Sequence, residues 1–202
     1  MQEIKIRLTF DEDCLGTASA DPELHSRFIA ANAPDAPTMK EEIEVMGKDE
    51  YEEKSMTVFP KDDDGNPFLW DYQIKGFFKD SCSALQKMKK EQMSKQSCGI
   101  KAYKKVIDGC IFVFPRKIPI HLSGEMGDLQ RPLRASTAQG ERIALAHSET
   151  VPAGSSVYIT IMTPDEYEPA VREWLDYGKL KGIGQWRNAG FGRFHYDAVD
   201  AV

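Results

Sequence analysis

Four glycines, Gly182, Gly184, Gly190 and Gly192, alternate with Arg187, Arg193, Trp186, Phe191 and Phe194 within thirteen residues, Gly182–Phe194. Core packing has no use for that mixture. Glycine allows close approach of backbone to a ligand or a positive φ, the arginine fork matches phosphate oxygens, and aromatic faces stack on bases. The chemistry expected is a nucleic-acid backbone passing a glycine loop. Arg187, Asn188 and Arg193 would contact phosphates and bases, and Trp186 would stack on a base. Phe191, next to a closing strand, is expected in the core. The competing reading is a plain glycine hairpin with solvated arginines.

A second cluster, Gly76 with Lys79, has the chemistry of a helix start that receives phosphate: free amides and the helix dipole favour an anion, and lysine adds a point charge. Against it stands a glycine that merely ends a strand. Arg131 and Arg134 lie in a long Gly-, Arg- and Thr-rich stretch, where they would contact a nucleic-acid strand or a neighbouring subunit, unless the stretch is a plain loop. His25, His121, His147 and His195 share no spacing that marks ligands or an acid–base pair. The turn Asp62-Asp63-Asp64-Gly65-Asn66-Pro67 lacks the other ligands of a calcium loop and reads as solvated turn chemistry. With no nucleophile motif and no phosphate-binding Walker loop in view, no catalytic residue, metal ligand or cofactor is expected.

The net charge of −6 over 202 residues argues against nucleic acid until its distribution is read. Residues 1–64 carry 17 acidic and 7 basic side chains, whereas residues 75–105 carry nine lysines against Asp80 and Glu91. Residues 179–193 add Lys179, Lys181, Arg187 and Arg193 and no acid. A fold that joins the last two segments would set a basic face on an acidic body. The alternative for the lysines is a solvated helix face. Cys14, Cys82, Cys98 and Cys110 form no Cys-x-x-Cys pair and are expected as reduced thiols. The longest apolar run, Cys110–Pro115, is far short of the roughly 20 residues a membrane helix needs. The N-terminal residues lack a charged and then apolar leader, so a soluble, cytoplasmic protein is expected.

The elements that must position these residues follow from periodicity. Residues 3–10 alternate, placing Ile4, Ile6, Leu8 and Phe10 on one face of a strand. Helical patterns follow in the acidic region after Asp21-Pro22 and after Thr38, whose Glu41 completes a capping box. Met56–Pro60 and Phe68–Ile74 read as a hairpin around the Asp-rich turn. Gly76 to about Met93 is helical, and Ile100–Val106 continues as an amphipathic piece. Residues 110–115 and 155–163 are strands, 165–179 a helix opened by Thr163-Pro164-Asp165, and Gly190 to about Tyr196 a last strand. Residues 123–146 show little periodicity, and an excursion of that length calls for a function. Strand, helix, strand, strand, helix, strand is the order of an α+β, ferredoxin-like βαββαβ core, shared with RNA-recognition (RRM-like) domains. Fold alone assigns no function.

Three spaced segments resemble the RAMP superfamily of CRISPR-associated proteins, in particular the backbone subunits that polymerise along guide RNA. Tyr72–Leu85 is similar to that family's strand-to-helix motif, with Gly76 and Lys79 at its glycine and lysine, Lys75 in place of its proline and Phe77-Phe78 in place of its serines. Arg131–Thr163, with Arg134, Gly140, Glu149 and Val151-Pro152-Ala153-Gly154-Ser155, resembles its Arg- and Gly-bearing thumb followed by a Glu-x-Val-Pro-x-Gly turn into a strand. Gly182–Arg193 resembles its C-terminal glycine-rich loop. The resemblance touches about half of the chain. It implies a single domain over residues 1–202 with insertions at about 14–74 and 116–150. It also implies RNA backbone held by Lys75, Gly76 and Lys79 and by the glycine loop, and a protruding hairpin that wedges between bases. In some members an aspartate after the first strand cuts target RNA; Asp21 and Asp35 occupy that region, but residues 14–74 depart from the family pattern and neither is assigned a role.

The expected function is therefore sequence-tolerant, non-enzymatic binding of single-stranded RNA or DNA, with self-association along the strand or docking on a CRISPR complex. A protein-interaction module or decoy acting on such a complex is the first alternative. A metal-dependent ribonuclease is the second.

Overall fold

The computed structural model describes residues 1–20, 56–88, 95–137 and 140–199. The two helices expected in the acidic region, and Asp21 and Asp35 with them, lie outside the described residues.

The chain begins with β1 (Gln2–Phe10), and its alternation is the expected one: Ile4, Ile6, Leu8 and Phe10 are all buried. β1 pairs antiparallel with β10 (Ser156–Thr163) on one side and with β11 (Phe194–Ala198) on the other. Ile4 faces Ile161, Ile6 faces Ile159 and Leu8 faces Val157. Burying one such side chain contributes about 1.5–3 kcal/mol, so this ladder is the hardest part of the molecule to open. β6 (Phe112–Phe114) and β7 (Lys117–His121) pair in turn with β10, and β5 (Phe68–Trp70) with β7.

One face of this sheet is covered by α1 (Asp71–Gln86) and by the helix Glu168–Asp176. Phe77 meets Phe194 at a ring-centroid distance of 5.1 Å and Phe78 meets Trp174 at 5.6 Å. α2 (Lys95–Gly99) and α3 (Tyr103–Cys110) bring Ile100 and Ile107 into the same core. The helix beside α1 is α4 (Glu168–Asp176), followed by α5 (Gly178–Lys181).

A second sheet carries the long hairpin of β8 (Gly127–Thr137) and β9 (Gly140–Val151). β9 also pairs with β2 (Cys14–Leu15) and, in the parallel sense, with β4 (Thr57–Val58), which pairs with β3 (Ala18–Ser19). The chain is thus α+β, with mostly antiparallel sheets and few helices. Among the described residues no helix is long and apolar enough to cross a membrane, and all four cysteines are free.

Two expectations about elements need correction. The first helix starts at Asp71, not Gly76, and ends at Gln86. Ile74 is the reason: it shares a face with Phe77, Phe78 and Leu85, so the helical period runs back to the end of β5. The Met56–Pro60 and Phe68–Ile74 hairpin shrinks to the Lys61↔Pro67 bridge, and beyond it β4 and β5 join different sheets. Where little periodicity is legible, residues 127–137 and 140–151 form a regular two-stranded ribbon, a hairpin as the resemblance implied. Arg131 and Pro132 on β8 and Ala146 and His147 on β9 are not among the core residues, so at those positions burial set no period that a sequence could display.

Candidate nucleic-acid interface

The glycine loop folds on itself before it offers anything to a ligand. The amide of Ile183 donates to the carbonyl of Gly192 at 2.9 Å, and that of Gly192 to the carbonyl of Asp13 at 2.8 Å. Gly182 and Gly192 both have positive φ, and a β-carbon on Gly192 would stand 1.9 Å from the Ile183 carbonyl oxygen. Gly184 packs in the same way on the Leu15 backbone and the Cys14 sulfur, while Gly190 closes a short 3-10 turn, Arg187–Ala189. These glycines serve the loop's own closure. Beneath them the Cys14 thiol donates to the Ile183 carbonyl, and burial pushes its pKa up to about 12.

Closure turns Arg187 toward α1. Arg187 Nη1 donates to Asp80 Oδ2 on α1 at 2.8 Å, and Lys181 Nζ reaches the same carboxylate at 3.6 Å. The basic segments do meet, but through Asp80, so part of their charge is neutralised where they touch. Lys79 is likewise paired with Asp108, and Lys75 donates to the Asp108 carbonyl at 3.2 Å while lying over the Phe112 ring. Neither lysine stands at a helix start. That start is closed by the chain itself, since Gln73 Oε1 accepts from the Trp70 amide at 2.7 Å and Asp71 Oδ1 accepts from the Tyr72 amide. The phosphate-receiving helix terminus expected at Gly76 and Lys79 is therefore absent.

What Gly76 does have is space. It is exposed in the second turn of α1, and nothing lies within 4 Å of where its β-carbon would be. Glycine in a helix interior costs about 0.5–1 kcal/mol against alanine. Neither φ nor a neighbour asks for it here, unlike Gly182, Gly184 or Gly192. Gly76 forms the bare floor of a cleft of about 410 Å³ between α1 and the glycine loop, walled by Thr17, Gln73, Gly184 and Arg187.

Trp186, with φ +49°, projects from the loop and is 43% exposed. Its ring stacks on Phe191 at 5.2 Å and 12°, so Phe191 is half-buried against Trp186 instead of filling the core; Phe194 takes the core position. Across from the loop, the Arg131 guanidinium of β8 lies over the Trp186 ring at 4.2 Å. Its Nε and Nη1 have no hydrogen-bond partner, and burial away from water holds its pKa below the usual arginine range. Arg193 Nε is unpartnered too. Arg134 sits on β8 opposite Ile143, three residues beyond Arg131. Asn188 is exposed beside Arg187 and lines the same recess as Trp186.

Thus Gly76, Gly184 and Arg187 meet in one cleft, and Arg131 joins Trp186 at its end. Lys75 and Lys79 turn to α3 instead. Sequence reasoning passed over Thr17, Trp70, Tyr72 and Gln73. The signal was present in the Phe68-x-Trp70-x-Tyr72 alternation, which places two large aromatics together at the rim.

Other expectations resolve as structure. Asp62 accepts hydrogen bonds from the Asp64 and Asn66 amides, which hold its carboxyl below the usual range, as solvated turn chemistry requires. Glu149 of the Glu-x-Val-Pro-x-Gly turn accepts from the Phe59 amide and pairs with Lys61, tying β4 to β9. His147 and His195 contact Asp128 and Asp11. Among the described residues no cluster of His, Cys, Asp or Glu is arranged to hold a metal.

No protein-family model matches the chain, and no curated protein does. Among solved structures the chain is similar to one chain of the cryo-EM structure of the type III-B Cmr-beta bound to cognate target RNA, with a TM-score of 0.53 and 9% identity. The similarity covers 99% of this chain and 61% of that one, so this chain spans less than two thirds of its neighbour's length. At that identity the likeness concerns fold.

Proposed function

We propose that the protein binds single-stranded nucleic acid, RNA foremost, without cleaving it, as a short relative of the RAMP backbone subunits acting in a CRISPR setting. The observation that carries the reading is the bare helical glycine, Gly76, facing Arg187 across an open cleft. A sugar–phosphate backbone can lie directly on α1 there, with Arg187 and Asn188 along one side and Arg131 and Trp186 at the end. The sheet order β11-β1-β10-β6 supports a ferredoxin-like core, with α1 and α4 as its two crossover helices. The fold likeness to a chain of an RNA-bound complex agrees with this.

The test is a fluorescence-anisotropy titration with labelled RNA and DNA oligomers at about 50 mM salt. Gly76→Ala separates site from scaffold: it should raise the melting temperature by about 2–4 °C through helix propensity while weakening binding several-fold. Arg187→Ala should weaken binding as well. A wild-type protein that ignores oligomers, or a Gly76→Ala protein that binds undiminished, overturns the proposal.

One observation favours a second reading. Arg187, Lys181 and Lys79 are already paired with Asp80 and Asp108, as suits a module that docks on protein. Binding to a nucleoprotein partner with oligomers ignored would establish it.

A further inference from the structure

Two ladders of cation, aromatic and aromatic flank the cleft over Gly76. One is Arg131–Trp186–Phe191. The other is Arg116–Trp70–Tyr72: the Arg116 guanidinium lies 5.7 Å from the Trp70 ring, and Trp70 stacks on Tyr72 at 6.1 Å and 15°. Tyr72 is 57% exposed on the first turn of α1. Three hollows connect the ladders. The recess holding Trp186 and Asn188 shares Gly184 and Arg187 with the cleft over Gly76, and that cleft shares Thr17 and Tyr72 with a hollow of about 520 Å³ walled by Val58, Phe59, Lys61 and Trp70. The result is a track with a stacked aromatic pair at each end, cations beside both, bare backbone between, and one open aromatic face, that of Tyr72.

We infer that this track takes an unpaired strand several nucleotides long and that a base lies on Tyr72, with Trp70 supporting the tyrosine from behind. The inference rests on the nucleic-acid reading above and adds a contact which that reading does not need. Cations alone would suit any polyanion. An exposed aromatic face beside a bare backbone suits a strand whose bases are unstacked and free to turn toward the protein, because an aromatic face accepts any base but only one that has left its own stack. A duplex offers neither.

The experiment pairs two measurements on the full chain. In the first, labelled single-stranded oligomers are titrated against wild type, Tyr72→Ala, Tyr72→Phe and Arg187→Ala, with a blunt duplex of the same sequence as comparison. Tyr72→Ala should weaken single-strand binding about tenfold, and Tyr72→Phe, which keeps the ring, should restore it. The duplex should bind far more weakly. In the second, an oligomer carrying 5-iodouridine is photocross-linked to wild-type protein, and the modified residue should be Tyr72. If Tyr72→Ala binds like wild type while Arg187→Ala is weakened, the platform is overturned and nucleic-acid binding stands. Cross-linking on Phe112, Phe114 or Tyr158, exposed on the open face of the large sheet, or equal binding of the duplex, overturns it as well. A wild-type protein that binds no oligomer overturns this inference together with the reading beneath it.

Discussion

A β-carbon on Gly192 would meet the Ile183 carbonyl oxygen at 1.9 Å, at a backbone φ of +68° that side chains rarely adopt; one on Gly76 would meet nothing. Both glycines stand in segments that resemble an RNA-binding family, yet the first is required by the fold and the second is not. Gly192→Ala should therefore lower stability by about 2–4 kcal/mol in a denaturant melt, since strain and backbone collision act together. Gly76→Ala acts in the opposite sense on stability. Glycine type and spacing were legible in the sequence, but which glycine is structural depends on what lies across from it. Arg187 carries the same lesson. Its planar fork marked it for phosphate, and only the fold shows that Asp80 already occupies one side of that fork.

At the scale of elements, the separation between core and appendage is sharp. The β1–β10–β11 ladder and the helices over it hold most of the core residues, while Arg131 and Pro132 on β8 and Ala146 and His147 on β9 lie outside the core. Gln130 and His147 face each other directly in the ribbon, so replacing residues 131–146 by an Asn-Gly turn joins the strands in register. The shortened protein should melt within a few degrees of wild type, because the β1–β10–β11 ladder and the helices over it are untouched. It should bind oligomers several-fold more weakly, because Arg131 leaves the Trp186 ring. Calorimetry and the anisotropy titration check both halves. The strands and helices of the core were legible because each buries one face and shows its period. The ribbon showed no such period, and its hairpin came only as an implication of the family resemblance; the boundary between β5 and α1 was misplaced because Phe68, Trp70, Tyr72 and Ile74 alternate as in a strand while Ile74 also shares the helical period of Phe77 and Phe78.

For the molecule as a whole, a net charge of −6 has to coexist with an anionic ligand. Partly buried cations line one track, and several of the nearest are paired internally with Asp80, Asp108 and Glu149. Only a few phosphates should then be neutralised on binding. Each contributes a slope of about −0.7 in log K against log salt for a single strand, so a total slope of about −2 to −3 is expected, far shallower than that of a highly basic protein. A titration across about 50 to 200 mM salt measures it. A slope near zero would remove phosphate contacts from the account. Arg187→Ala should make the slope shallower by nearly one phosphate, whereas Tyr72→Ala should lower affinity and leave the slope unchanged, since stacking releases no counterions.

The sequence by itself determined the alternation of β1, the apolar stripes of α1 and α4, the turn at Asp62 and the order of the core elements, because each rests on contacts between near neighbours or on burial that repeats with a fixed period. It also marked Gly76, Arg131, Trp186 and Arg187 as unlike core residues. Only the tertiary structure decided their relations. Bringing α1 to the glycine loop made Gly76 a floor, turned Arg187 onto Asp80 and set Arg131 on Trp186. Those are pairings between residues distant along the chain, fixed by how helix, loop and ribbon pack on the sheet, and no local period encodes them.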